Sequence, residues 1–232
     1  MAEWWTYRPS DFLLFSPRVY WRMFELHNAA VWPLHLAMLA VGLAFVLIAL
    51  RRHALPDRWA ALGLAALWAF VGWSFLWGRY AAINWAIAYV APAFGIQALL
   101  LAVLGARGII FGRRDMAGQV GLLLAMAGLV GYPLVAWLFG RSWSSAEVFG
   151  IAPDPTAITT LGILLGASSR LVPLLFPIPV LWLLFSGLTL RTMDDAQAWI
   201  PFSAAGTAVV VVVLRSVTRR NKVVGLWVAG HD

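Results

Sequence analysis

Six polar side chains hold most of the chemistry that this sequence offers: Glu25, His35, Arg79, Asn84, Asp154 and Thr156. Each lies within or beside a long apolar run. A polar or ionisable group in a bilayer is costly, so each is a candidate for a site. By type, His35 and Asp154 can exchange protons, Glu25 and Arg79 can hold a charged solute, and Asn84 and Thr156 can supply neutral hydrogen bonds. Placed by depth, they fall with Ser74, Tyr132, Thr159, Thr160, Ser186, Thr189 and Ser203 toward one end of the apolar runs. Gln97, Ser168, Ser169 and Thr207 sit deeper or toward the other end. The pattern predicts a cavity open on one side, rimmed by Glu25, His27, Arg79, Glu147, Asp154 and Asp194. For each Ser and Thr the competing role is a bond to its own helix or a bridge to the next one.

Other chemistries are excluded. The chain has no Cys, which removes disulfides, thiolate metal sites, Cys nucleophiles and ligated iron–sulfur clusters. Its one lysine, Lys222, follows the last apolar run, so a retinal Schiff base inside the membrane has no amine. The histidines at 27, 35, 53 and 231 fall at both ends of the runs and cannot ligate two stacked haems. Glu25, His27 and His35 would need another segment between them to share a metal, because 27 to 35 is about 12 Å of helical rise. Motifs of the HExxH, P-loop and GxSxG types are missing. No cofactor, metal or catalytic residue is assigned.

These side chains must be positioned by membrane helices. Hydrophobic residues make up 62% of the 232, and charged residues 12%, about half the share of a soluble domain. Mean hydropathy is +0.82. The net charge of +7 would suggest nucleic acid in a soluble domain. Here the basic residues stand between apolar runs, where they set orientation, so the expected partner is the lipid bilayer and not nucleic acid. The N-terminus lacks a basic n-region and the first long run starts near Val31, which predicts a retained start.

A spanning helix needs about 20 mostly apolar residues. Val31–Leu50, Trp59–Trp77, Ala81–Gly105, Met116–Phe139 and Trp199–Leu214 each read as one. Ala157–Leu190 is too long for one span and breaks best at Arg170, with Pro173 disfavouring helix just before it. Its first piece, 157–169, is short and reads either as a span extended through Pro155 or as partly re-entrant. Seven spans with the N-terminus outside put eleven of the 17 basic residues inside, among them Arg51, Arg52, Arg113, Arg114, Arg215 and Lys222. Basic excess on the cytoplasmic side is what orientation by positive charge requires.

The fold class is therefore all-α: a polytopic transmembrane helical bundle of seven spans, N-out and C-in, preceded by an interfacial amphipathic helix. Residues 1–30 form the outer interfacial segment, 31–214 the seven-helix transmembrane domain and 215–232 a basic cytoplasmic tail. In the outer segment Ser16-Pro17 marks a helix start, and Arg18, Arg22 and Glu25 share one face. The rival is one long helix from Pro17 to Leu50 kinked at Pro33. Ten of the 14 Trp fall on the outer side, as an interfacial belt or a partner surface.

Three local patterns add detail. In Pro153-Asp154-Pro155-Thr156-Ala157, Asp154 reads as a helix cap with Pro155 at the first helical position. Pro173, Pro177 and Pro179 read as breaks in the sixth span that free backbone carbonyls. Gly162 with Gly166, and the stripe Gly118, Gly121, Ala125 and Gly128, allow close helix contact, within the chain or between copies.

The run from Pro153 to Gly162, with Pro179-Val180-Leu181-Trp182, Asp194-Asp195 and the N-terminal Ser10-Asp11-Phe12-Leu13-Leu14-Phe15-Ser16-Pro17, resembles an uncharacterised family of bacterial multi-pass membrane proteins. That family carries a PxPT…TLG-like element and a PxxW helix, and Asp154 stands at a position where it has Cys. The resemblance implies a membrane fold, at the bacterial inner membrane, and no activity.

Three function classes follow. The first is a small-solute permease or channel-like carrier with an outward-facing cavity near His35, Asn84 and Asp154. The second is an accessory or scaffold subunit that meets other membrane subunits, or itself, through the Trp-rich surface. The third is an intramembrane enzyme on a lipid-linked substrate, with His35 and Asp154 as acid and base.

Overall fold

A computed structural model describes residues 13–50, 58–109 and 115–229. The basic residues Arg51, Arg52, Arg113 and Arg114, with His53 and His231, lie outside the described residues, as do the side chains from Arg219 onward. Among the described residues the elements are helical, with no strands.

The chain enters through α1, Pro17–Val31, whose first turn is capped by Ser16. It bends by 90° at Trp32-Pro33 into α2, Leu34–Ala49. So α1 and α2 are two helices, and the single kinked helix is set aside. The bend lets α1 bury Tyr20, Met23, Phe24, His27 and Asn28 while keeping its charged face open. The next three helices are α3 (Arg58–Ile83), α4 (Ile87–Ala106) and α5 (Met116–Leu138). A π-helical stretch, Val71–Tyr80, lies inside α3, and a shorter one, Ala127–Gly131, inside α5. Then come α6 (Pro153–Leu165), α7 (Pro177–Thr192) and α8 (Trp199–Ala229).

Among the described residues five helices are long and apolar enough to cross a membrane, or six if α1 and α2 together make one bent span. The protein is therefore a multi-pass membrane protein by the length and composition of its helices. Helix α6 has 13 residues, about 20 Å at helical rise, and is too short for that test. The chain breaks after Leu165 and resumes helical geometry at Val172, on either side of Arg170.

Helix α6 is the axis of the bundle, and every one of its residues is buried. It packs most closely on α5. A Cβ on Gly162 would overlap the Ala125 nitrogen and the Gly121 oxygen, and one on Gly128 would meet the Thr159 side chain. The small-residue stripe is thus spent inside the molecule, where backbone meets backbone. Trp68 of α3 donates to Thr160 Oγ1 at 3.0 Å. At the far end, Arg215 of α8 donates to the carbonyls of Leu165 and Ala167 at 3.1 and 3.2 Å. A cation there suits the negative end of the helix dipole.

The prolines of the sixth span correct their expected role. Pro177 opens α7 and Pro179 lies in its first turn, while Pro173 is the second residue of the short 3-10 turn Val172–Leu175. They start elements and do not kink a helix interior, because a helix start has no partner for those N–H groups. The Leu175 carbonyl left over is taken by Gln97 Nε2 of α4 at 3.0 Å.

Candidate functional site

At the end of the bundle near α1, side chains from α1, α5, α6 and α7 meet Arg141, Glu147 and Gln197. Asp154 sits there and is 2% exposed. It is not the cap of α6: the capping position is Ala152, and Pro153 occupies the first helical position. The start shifts two residues upstream because Pro153 is as suited to it as Pro155. The carboxylate is thereby freed for other helices. Tyr132 Oη of α5 donates to it at 2.8 Å, Trp182 Nε1 of α7 at 2.7 Å and Ser186 Oγ of α7 at 2.6 Å. An indole N–H can only donate, so Trp182 requires an acceptor, which a carboxyl oxygen of Asp154 supplies. The local role passes to Thr156. Its Oγ1 donates to the Ala152 carbonyl at 2.6 Å and accepts the Gly150 N–H at 2.8 Å.

The bonding continues outward. Gln197 Nε2 donates to Tyr132 Oη at 3.2 Å and to Glu147 Oε1 at 2.9 Å. Gln197 Oε1 accepts from Arg141 Nη2. The Arg141 guanidinium lies over the Trp21 ring, 3.4 Å from its centre. Its Nε and Nη1 are buried with no hydrogen-bond partner among the described residues. Glu147 is 3% exposed. Burial, then the Asp154 charge, push its carboxyl up to about 8, against the opposing pull of Arg141 and the Gln197 hydrogen bond. Arg141 thus meets two buried carboxyl groups along one chain of hydrogen bonds, and burial holds Glu147 toward its protonated form. A buried acid raised into this range is a candidate for taking up and releasing a proton.

Beyond Trp21 lies an open cavity of about 840 Å³ between α1 and the last turns of α3. Trp21, Arg18, Arg22, Glu25 and Arg79 line it over an apolar floor that includes Met23 and Ile83. Helix α1 is held in place by its buried face. Tyr20, Phe24, Phe75 and Tyr80 pack ring against ring. Asn28 Nδ2 donates to the Ser144 and Ala146 carbonyls, both at 2.8 Å.

The structure thus divides the six sequence candidates into three groups. Glu25 and Arg79 meet on the open cavity. Asp154 and Thr156 are buried in the bundle, with Glu147 beside them and away from any rim. His35 and Asn84 join neither group. Half-buried His35 packs on Trp32, with ring centres 5.8 Å apart. Asn84 Oδ1 accepts the Ala86 N–H at 3.2 Å in the turn between α3 and α4, a structural duty.

A model for a family of unknown function matches residues 17–223, from the start of α1 well into α8. The chain belongs to that family, DUF6064. No curated protein and no solved structure matches the chain.

Within this family member, sequence reasoning did not place Arg141, Gln197 or Trp182 in the site. The one available signal was spacing: Trp182 and Ser186 are four residues apart and so share a face of α7. Nothing in the sequence joined that face to the segment around Glu147. Among the described residues no three of His, Asp and Glu gather as a metal site would need.

Proposed function

We propose that this protein is a small-solute carrier that loads from the outer side of the bacterial inner membrane and is coupled to protonation of its buried carboxyls. In this reading the chain makes seven passes, N-out and C-in, with α6 as a short pass and α1 lying in the outer interface. The open cavity is the vestibule, and Trp21 separates it from the polar cluster. One observation carries the reading. The Arg141 guanidinium has two buried N–H groups without partners among the described residues, beside a carboxyl that titrates at about 8. Unpaired buried donors are costly, and a solute acceptor would relieve that cost.

The test begins with thermal unfolding of the purified protein against panels of carboxylates, phosphates, sugars and amino acids. A stabilising solute is then offered to proteoliposomes with and without a pH gradient. The reading requires uptake that responds to the gradient and is lost in Arg141→Gln but kept in Arg170→Gln. Binding without uptake under either gradient would overturn it.

A second reading, a scaffold subunit, draws on the exposed indoles at this same end: Trp32, Trp73, Trp77, Trp85, Trp143 and Trp199 are each more than half exposed. A partner protein that stays bound to Arg141→Gln in native mass spectrometry would favour it.

A further inference from the structure

We infer that the cavity between α1 and α3 is a binding site for the phosphate monoester head of a lipid. Three guanidinium groups and one carboxylate face the cavity: Arg18 and Arg22 from α1, Arg79 from α3, and Glu25. Arg18 and Arg22 are one turn apart, about 6 Å along the helix. Glu25 engages only Arg22, at 2.6 Å. Among the described residues no carboxylate pairs with Arg18 or Arg79. The wall therefore carries a net charge of +2.

That charge selects the ligand class. A phosphate monoester carries about −1.5 to −2 at neutral pH and offers three acceptor oxygens. Arginine is suited to it because its planar fork donates two parallel bonds to a phosphate. A carboxylate has one charge and would leave a guanidinium uncompensated. The volume selects further. At about 840 Å³ the cavity is far larger than a bare phosphate and lies in the range of sites for whole organic ligands. Its remaining wall is apolar, with Val19, Met23, Leu26 and Ile83. Val19 and Leu26 are large apolar side chains left 42% and 48% exposed. A head group on the arginines with an acyl chain along these residues fills both parts.

The inference rests on the reading above in one respect, that α1 lies at the membrane interface where lipid heads stand. It does not need transport. A lipid held here would stand in the cavity that the carrier reading uses as its vestibule, but its arginines are distinct from Arg141, so variants of the two groups score the two ideas separately.

The test is native mass spectrometry of the full chain from mixed micelles of phosphatidic acid and phosphatidylcholine, paired with a titration of inorganic phosphate. Phosphatidic acid should be retained over phosphatidylcholine by about tenfold or more, the weight of one charge-assisted contact. Arg79→Gln should remove that preference. Glu25→Gln should strengthen it severalfold, because Arg22 is released from its ion pair, and a gain cannot come from misfolding. Equal retention of the two lipids, or no change in either variant, overturns the proposal. Displacement of the lipid by millimolar inorganic phosphate also overturns it, since the ligand is then the free anion. Lost lipid preference with gradient-driven uptake intact in Arg141 wild-type chains would sink the lipid site and leave the carrier standing. Arginine-dependent lipid retention without uptake would do the reverse.

Discussion

Two regions at the same end of the molecule bring arginine and carboxylate together, and Trp21 touches both. Inside, Arg141, Glu147 and Asp154 are joined by hydrogen bonds through Gln197 and Tyr132, so each charge-bearing group there has a polar partner. Outside, Arg18, Arg22, Arg79 and Glu25 line an open cavity and leave a surplus of positive charge. The difference is one of solvent. A buried ion has lost its hydration and must be matched group by group. An exposed ion keeps water as a partner, so a surplus can persist and wait for a ligand. The inner cluster therefore bears on stability, and the outer wall keeps a positive charge that no described carboxylate matches.

The largest effect that would break this contrast is at Asp154. Asp154→Ala strands three buried donors, those of Tyr132, Trp182 and Ser186, and should cost about 3–5 kcal/mol. Chemical unfolding in detergent measures it, and a loss below about 1 kcal/mol would show that the buried bonds hold little.

Next is Gly162→Val, which touches no polar group. Its side chain meets the backbone of α5 at Gly121 and Ala125, so α6 must move and take Asp154 with it. About 1–3 kcal/mol is expected. If the same variant keeps full stability, α6 is not positioned by this contact.

Glu147 sharpens the comparison through pH. Its carboxyl is raised to about 8 from an ordinary 4.5. An acid that holds its proton more tightly when folded stabilises the fold at low pH. That stability falls as pH rises from the ordinary range through about 8 and is then flat. Between pH 6 and 7 the loss is at most about 1.4 kcal/mol for one proton. Glu147→Gln, a neutral isostere, should flatten the slope, and Trp21→Ala should lower its upper end by admitting water. A slope unchanged in Glu147→Gln would assign the titration to another group.

The smallest effect belongs to the cavity wall. The Arg22–Glu25 pair is a surface pair, with Arg22 64% exposed, and Glu25→Ala should change stability by about 0–1 kcal/mol. A loss comparable with that of Asp154→Ala would erase the distinction between the two regions.

Much of this architecture was legible in the sequence. Hydropathy and scarce charge required a multi-pass helical membrane protein, since a bilayer leaves backbone groups no other partner. The interruption around Arg170 and Pro173 marked where α6 ends and the next helix begins, and Ser16-Pro17 marked the start of α1. These are local effects, carried by residues a few positions apart. Glu25 and Arg79 drew notice for a related reason, each sitting near the end of an apolar run, and both line the open cavity.

Long-range pairing was not legible. The sequence offered Asp154 a complete local role as a cap, and only the structure shows that Ala152 fills that position and that three side chains on two other helices, α5 and α7, use the carboxyl group. The glycine stripe fitted a contact within the chain or between copies, and packing of α5 on α6 chose the first. Arg141, Glu147 and Gln197 are 50 or more residues apart at their extremes, and nothing in composition or period says which polar groups will meet. That choice is made by which helix ends the packed backbone brings together, because burial forces each polar group there to find a partner that sequence spacing alone does not supply.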